Sequence, residues 1–170
     1  VTCVDVEHDK IKKLKKGIIP IFEPGLETMV IKNIKSKNLF FTTKINKALQ
    51  NSEVVFIAVG TPMEEDGSAD LKYVLSVAKS IGELIQTNQI VVNKSTVPVG
   101  TGDKIEKILK KFRKKNIEVI SNPEFLREGE AIRDFRFPDR IVVGSNNKKV
   151  TKRLETLYEP LIRKGAKFFS

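Results

Sequence analysis

A chain of 170 residues with 31 Lys and Arg against 21 Asp and Glu, formal net charge +10, has the size of one ordinary domain and can bury roughly two-thirds of its unfolded surface. No apolar run approaches the ~20 residues that span a bilayer, which excludes a transmembrane helix, and a single cysteine excludes an internal disulfide framework. The first residues lack the basic-then-apolar order of a secretory signal, so a reducing cytoplasm is the expected compartment.

Short β-rich runs alternate with amphipathic ones along the chain. Residues 1–6, 39–42, 54–59, 90–92, 118–120 and 140–143 are predicted strands. They are near-continuous apolar runs, as expected where helices cover both faces of a mostly parallel sheet. This order predicts a doubly wound α/β fold. No repeat, low-complexity tract or long linker interrupts it, so one domain over residues 1–170 is expected. The Lys-rich segments 10–16 and 104–115 carry Ile11 and Leu14, and Ile105, Ile108, Leu109 and Phe112, at helical spacing with the lysines on the other face. The positive charge therefore belongs to solvated helix surfaces. No nucleic-acid partner is expected, because no recognised motif or interleaved aromatic pattern accompanies the charge. An anionic small molecule suits the same field. Residues 20–25 and 61–70 are the main loops.

Open α/β sheets bind ligands at the carboxyl ends of their strands. Four such ends carry polar or Gly-Pro chemistry here: Asp5, Gly60-Thr61-Pro62, Ser95-Thr96 and Asn122-Pro123-Glu124. An acidic residue at the end of the second strand of a Rossmann unit accepts hydrogen bonds from the adenosine ribose, and Asp5 is placed for that or for capping the following helix. Gly60 lets a backbone approach a ligand closely and Pro62 fixes a turn, while Asp70 reads as a helix N-cap. Ser95 and Thr96 can line a site or bond the following turn. Asn122 reads as an N-cap with Pro123 at the first helical position, a helix that would put Glu124 and Glu128 on one face. Cys3 is expected to be buried in its strand as a small hydrophobe, and His8, the only histidine, has no second member for a dyad or a metal site. No metal is expected.

Three blocks resemble the nucleotide-sugar dehydrogenase family, on its UDP-glucose branch: Lys94-Ser95-Thr96-Val97-Pro98-Val99-Gly100-Thr101, Ser121-Asn122-Pro123-Glu124-Phe125-Leu126-Arg127-Glu128-Gly129 and Phe137-Pro138-Asp139-Arg140. The Pro98-Val99 pair is similar to the UDP-glucose enzymes, whereas GDP-mannose relatives more typically have Leu-Pro. The resemblance runs from Val1 to about Tyr158. It implies a partial Rossmann-like NAD-binding domain and, for the intact enzyme, two successive oxidations at C6 of UDP-glucose that consume two NAD and one water to give UDP-glucuronate. A GDP-mannose or UDP-N-acetylhexosamine dehydrogenase, or an inactive fragment, is the alternative.

By the same resemblance Thr96, Glu124 and Glu128 are catalytic. Thr96 would bond a water or the reacting oxygen, Glu124 would assist proton transfer or position the reactive water, and Glu128 would sit near the nicotinamide and the sugar. Asp5, Lys10, Val59, Gly60, Thr61, Pro62, Met63, Ser95, Thr96, Val97 and Glu128 would hold NAD. Glu124, Phe125, Leu126, Arg127 and Glu128 would hold the sugar nucleotide. The glycine fingerprint G-x-G-x-x-G is absent, and Gly100-Thr101-Gly102 is no copy of it because Ile105 stands at the third glycine's place. The family keeps that fingerprint about twenty residues before the acidic residue, here already at position 5, so the first βα unit is expected to lie outside this chain. A Gly-Gly-x-Cys-Phe-Pro-Lys-Asp motif, the central helix and the UDP-binding domain are likewise not here. The family's central helix implies a homo-oligomer for the intact enzyme, and weak or no NAD binding is expected of these residues alone.

Overall fold

Every strand ladder pairs in parallel in the computed structural model, which describes residues 1–85, 89–112 and 117–170. The chain divides into two compact units, one of Val1–Ala48 with Phe125–Phe137, the other of Leu49–Glu124 with Pro138–Ser170.

In the first unit β1 (Thr2–Val4) pairs with β2 (Phe40–Thr42), Thr2 opposite Phe40 and Val4 opposite Thr42. The connection carries α1 (His8–Leu14) and α2 (Leu26–Lys35). Each buries an apolar position, Ile11 and Val30, and turns its lysines outward, as the periodicity requires. Gly17 closes the turn after α1 at φ 83, and a Cβ there would stand 2.5 Å from Ile31 Cγ1, so the position takes neither a side chain's strain nor its bulk. β1 departs from expectation: Thr2, Cys3 and Val4 are all exposed, and Cys3 is a free, exposed thiol. Within its unit β1 has only β2 beside it, so its apolar composition does not translate into burial.

A short helix α3 (Ile45–Gln50) leads to the second unit, where β3 (Val54–Ile57), β4 (Ile90–Asn93) and β5 (Glu118–Ser121) form one sheet in the order β3-β4-β5. Parallel neighbours need crossovers, and α4 (Lys72–Leu84) and α5 (Thr101–Phe112) supply them. Their buried stripes, Val74, Ala78 and Ile81 on α4 and Ile105 and Leu109 on α5, have almost no solvent access, and neither do Val91, Val92 and Ile120 of the sheet. The lysines of α5 face outward as its spacing predicts, and the end of that Lys-rich run, 113–115, lies outside the described residues. Gly82 of α4 admits the ring of Phe112: a Cβ there would lie 2.6 Å from Phe112 Cδ2.

After the short helix α6 (Ala131–Arg136), which belongs to the first unit, β6 (Arg140–Val142) and β7 (Lys167–Phe169) pair around α7 (Lys148–Ile162). Gly144 joins them to the end of β5 by a two-way bridge with Ser121, 2.8 and 3.0 Å. Val150, Leu154 and Tyr158 of α7 pack with Val92, Ile120, Ile141, Val143 and Ala166. All six predicted strands are present. β7 was not expected, because Lys167-Phe168-Phe169 is three residues long and becomes a strand only by pairing with β6. Together these elements are an α/β fold built on parallel strands, as predicted from the alternation.

Candidate functional site

The carboxyl ends of β3, β4 and β5 meet in the second unit, and side chains rather than packing alone lock them together. Ser95, 8% exposed, accepts from Val59 N–H at 3.0 Å and donates to Val59 C=O at 2.7 Å. One hydroxyl thus satisfies both backbone groups of the residue that opens the β3 loop. Thr61 Oγ1 donates to Thr96 C=O at 2.8 Å, a second tie between the same two loops. The loop beyond closes as a small hairpin: Met63 bridges Ala69, Glu64 N–H reaches Ser68 C=O at 2.7 Å, and Gly67 turns the chain at φ 81. Asp70 then accepts from Lys72 N–H at 2.8 Å at the start of α4, where the cap position is Leu71, one residue after the Asp70 that sequence suggests. Gly60 is exposed with no atom within 4 Å of where a Cβ would stand, so its backbone is open to a ligand. Thr96 is exposed on this rim, and Val97 half-buried.

The Asn122-Pro123-Glu124 segment is not a helix start. Residues 122–127 are irregular and α6 begins only at Ala131. The reason is that the Asn122 side chain is recruited inward: it is 1% exposed, donates to Val142 C=O at 2.9 Å and accepts from the Tyr158 hydroxyl at 2.6 Å. Its own N–H reaches Asn93 C=O at 2.9 Å. An asparagine so engaged cannot cap a helix, and Glu124 and Glu128 therefore do not share a helical face. Glu124 is half-buried in the second unit, and Glu128 is exposed in the first. Burial pushes the Tyr158 hydroxyl up to about 12, so it stays a proton donor at any physiological pH.

Two residues of this rim escaped the sequence reading. Lys94, just past β4, is half-buried, and burial lowers its ammonium pKa while the nearby Glu124 carboxylate works the other way. Tyr158 sits 36 residues from Asn122, and no local signal announces that pairing.

In the first unit Asp5 and Lys10 meet at 2.6 Å, and Asp5 Oδ1 accepts from Glu7 N–H at 3.0 Å where α1 begins. Partial burial pushes the Asp5 carboxyl up, but the Lys10 ammonium and the Glu7 and Val6 N–H groups outweigh it and hold it below the usual carboxylate value. Bonding to Asp5 raises Lys10 in turn. The two are partly open to solvent. Phe125, Leu126, Arg127 and Glu128 form an exposed turn stapled to α6: Arg127 Nε and Nη2 donate to the two oxygens of Asp134 at 3.0 and 2.7 Å, and Arg127 N–H adds a third bond at 3.0 Å. Glu23, from the loop at 20–25, accepts from Ala131 and Ile132 N–H at 3.2 and 3.0 Å and caps α6 from outside.

Each unit by itself presents a group that suits part of a dinucleotide. A carboxylate has about four lone-pair sites, and Asp5 shares its own with Lys10 and the Glu7 and Val6 N–H groups, which leaves about one acceptor for a sugar hydroxyl. Gly60 provides an open backbone approach. Among the described residues no group of three His, Cys, Asp or Glu is placed to hold a metal ion.

Residues 1–162 match the model of the UDP-glucose/GDP-mannose dehydrogenase family, NAD binding domain. The chain belongs to that family. It is 48% identical to UDP-glucose 6-dehydrogenase TuaD of Bacillus subtilis over 94% of its length and 50% identical to UDP-glucose 6-dehydrogenase of Rhizobium meliloti over 95%. It spans 35% and 38% of the length of those two curated relatives. Its structure is similar to a UDP-glucose dehydrogenase of Pyrobaculum islandicum, TM-score 0.92 at 37% identity, over 99% of this chain and 40% of that one. It is also similar to a GDP-mannose dehydrogenase of Pseudomonas aeruginosa, TM-score 0.94 at 36% identity, over the same shares. The Rossmann-type α/β fold of these dehydrogenases is thus the fold of this chain.

Proposed function

We propose that this chain is part of the NAD-binding domain of an enzyme that oxidises C6 of UDP-glucose to the carboxylate. The observation that carries the proposal is the locked rim of β3, β4 and β5, which presents Thr96 and Glu124, in a chain 48% to 50% identical to UDP-glucose 6-dehydrogenases. Asp5 and Lys10 would bind the adenosine ribose, with the Asp5 charge disfavouring a 2′-phosphate. Val59, Gly60, Thr61, Pro62 and Met63 would run beside the dinucleotide, with Ser95, Thr96, Val97 and Glu128 lining its reactive end. Bound NAD supplies the acceptor for hydride from C6.

Overall, a primary alcohol, two NAD and one water become a carboxylate, two NADH and three protons. This chain's part is to move and hold those protons. Thr96 bonds the reacting oxygen or the attacking water, and Glu124 takes the proton released as the oxygen at C6 becomes a carbonyl or as the water adds. Phe125, Leu126, Arg127 and Glu128 hold the sugar nucleotide. No glycine fingerprint and no Gly-Gly-x-Cys-Phe-Pro motif occurs in these 170 residues, so they are expected to bind NAD weakly and to turn over no substrate alone. This reading keeps the enzyme cytoplasmic and homo-oligomeric, with its lysine-rich helix faces in solvent rather than on nucleic acid.

The sugar is tested by initial rates of the full-length enzyme with UDP-glucose, GDP-mannose and UDP-N-acetylhexosamines. The expected result is the highest kcat/KM with UDP-glucose. A higher value with either of the others would move the enzyme to a sister activity.

A further inference from the structure

We infer that Tyr158 is a positioning residue for the reaction, acting through Asn122 to hold the Glu124 carboxylate at the rim. The inference rests on the role proposed above for Glu124. Asn122 lies two residues upstream of that carboxylate, where the chain leaves β5. Its backbone is tied to β4 through Asn93 C=O, and its amide is tied to β6 through Val142 C=O. The remaining side-chain oxygen receives the Tyr158 hydroxyl at 2.6 Å, from the last turns of α7. Three elements therefore fix one residue, two of them through its side chain.

Both partners are nearly out of reach of water, Asn122 1% and Tyr158 7% exposed, so water cannot readily replace the missing hydroxyl if it is removed. A buried bond of this kind is directional where apolar packing is not. It selects one rotamer of Asn122, and with it one direction for Pro123 and Glu124 as they leave the sheet. Proton transfer demands hydrogen-bond reach, and a carboxylate displaced by about 1 Å can cost on the order of a hundredfold in rate.

The test is a double-mutant cycle in the full-length enzyme between Tyr158→Phe and Glu124→Gln, with Leu154→Val as a packing control on the same helix. Tyr158→Phe keeps the ring in its apolar cluster and removes only the hydroxyl. It is expected to lower kcat by about tenfold to a hundredfold with KM for NAD unchanged. In the Glu124→Gln background the same substitution is expected to cost nothing further, because the group it positions is already gone. Leu154→Val is expected to lower the melting temperature and leave kcat unaltered. If Tyr158→Phe costs the same factor in both backgrounds, or if Leu154→Val lowers kcat as much, Tyr158 is structural only and the inference fails while the role of Glu124 stands. If Glu124→Gln alone is fully active, the role of Glu124 fails and the inference falls with it.

Discussion

The two units hold their candidate residues by different physics. In the second, the loops at the strand ends are tied by bonds from buried groups, Ser95 to Val59 and Tyr158 to Asn122. In the first, Asp5 is held by Lys10 and Arg127 by Asp134, ion pairs open in part to solvent. Bonds shielded from water keep one geometry against salt and pH, whereas exposed pairs are weak and screened. The rim that would do chemistry is built the first way. The surface that would grip a ribose and a sugar nucleotide is built the second way, which suits groups that must exchange a protein partner for a ligand.

The contrast is broken most severely by removing what supports the rim. Ile105 has no solvent access, and Ile105→Ala is expected to destabilise the protein by about 2–5 kcal/mol in urea denaturation, the transfer and cavity cost of a buried isoleucine. A destabilisation below about 1 kcal/mol would mean that α5 does not anchor the sheet. Next comes Ser95→Ala, which strands the N–H and C=O of Val59 and is expected to cost about 1–3 kcal/mol and to raise KM for NAD. An unchanged KM would detach the Val59 loop from the cofactor.

The first unit is sharpened by acid. The Arg127 bonds hold Asp134 down to about 2 against an ordinary 3.8, so its contribution is fully present above 3.8 and is lost as pH falls through about 2. The Arg127 amide resonance is expected to shift over that window, with the amide of Val59 unmoved. The smallest effect belongs to Lys10→Met. It is expected to cost no more than about 1 kcal/mol of stability, and this cost is expected to disappear in about 1 M salt.

The strands were legible because residues such as Val54-Val55-Phe56-Ile57 are β-branched or aromatic runs that little else accommodates. The rim was legible too, since parallel strands put their loops at one end. What sequence could not carry is long-range. Asn122-Pro123-Glu124 has every local mark of a helix start, and only Val142 and Tyr158, farther along the chain, explain why Asn122 turns inward instead. Cys3 sits in an apolar run yet is exposed, because burial depends on which strands lie beside β1 and not on its own residues. Lys94 was visible within its motif, but its half-buried setting beside Glu124 follows from β4 and β5 being neighbours.

The most direct measurement is the stoichiometry of the full-length enzyme: NADH formed per UDP-glucose consumed, in the wild type and in Thr96→Ala. The account predicts two NADH and one UDP-glucuronate per sugar, with a rate reduced by about 10²–10⁴-fold in the variant. One NADH per sugar, or a variant as fast as the wild type, would contradict the claim that this rim serves a double oxidation at C6.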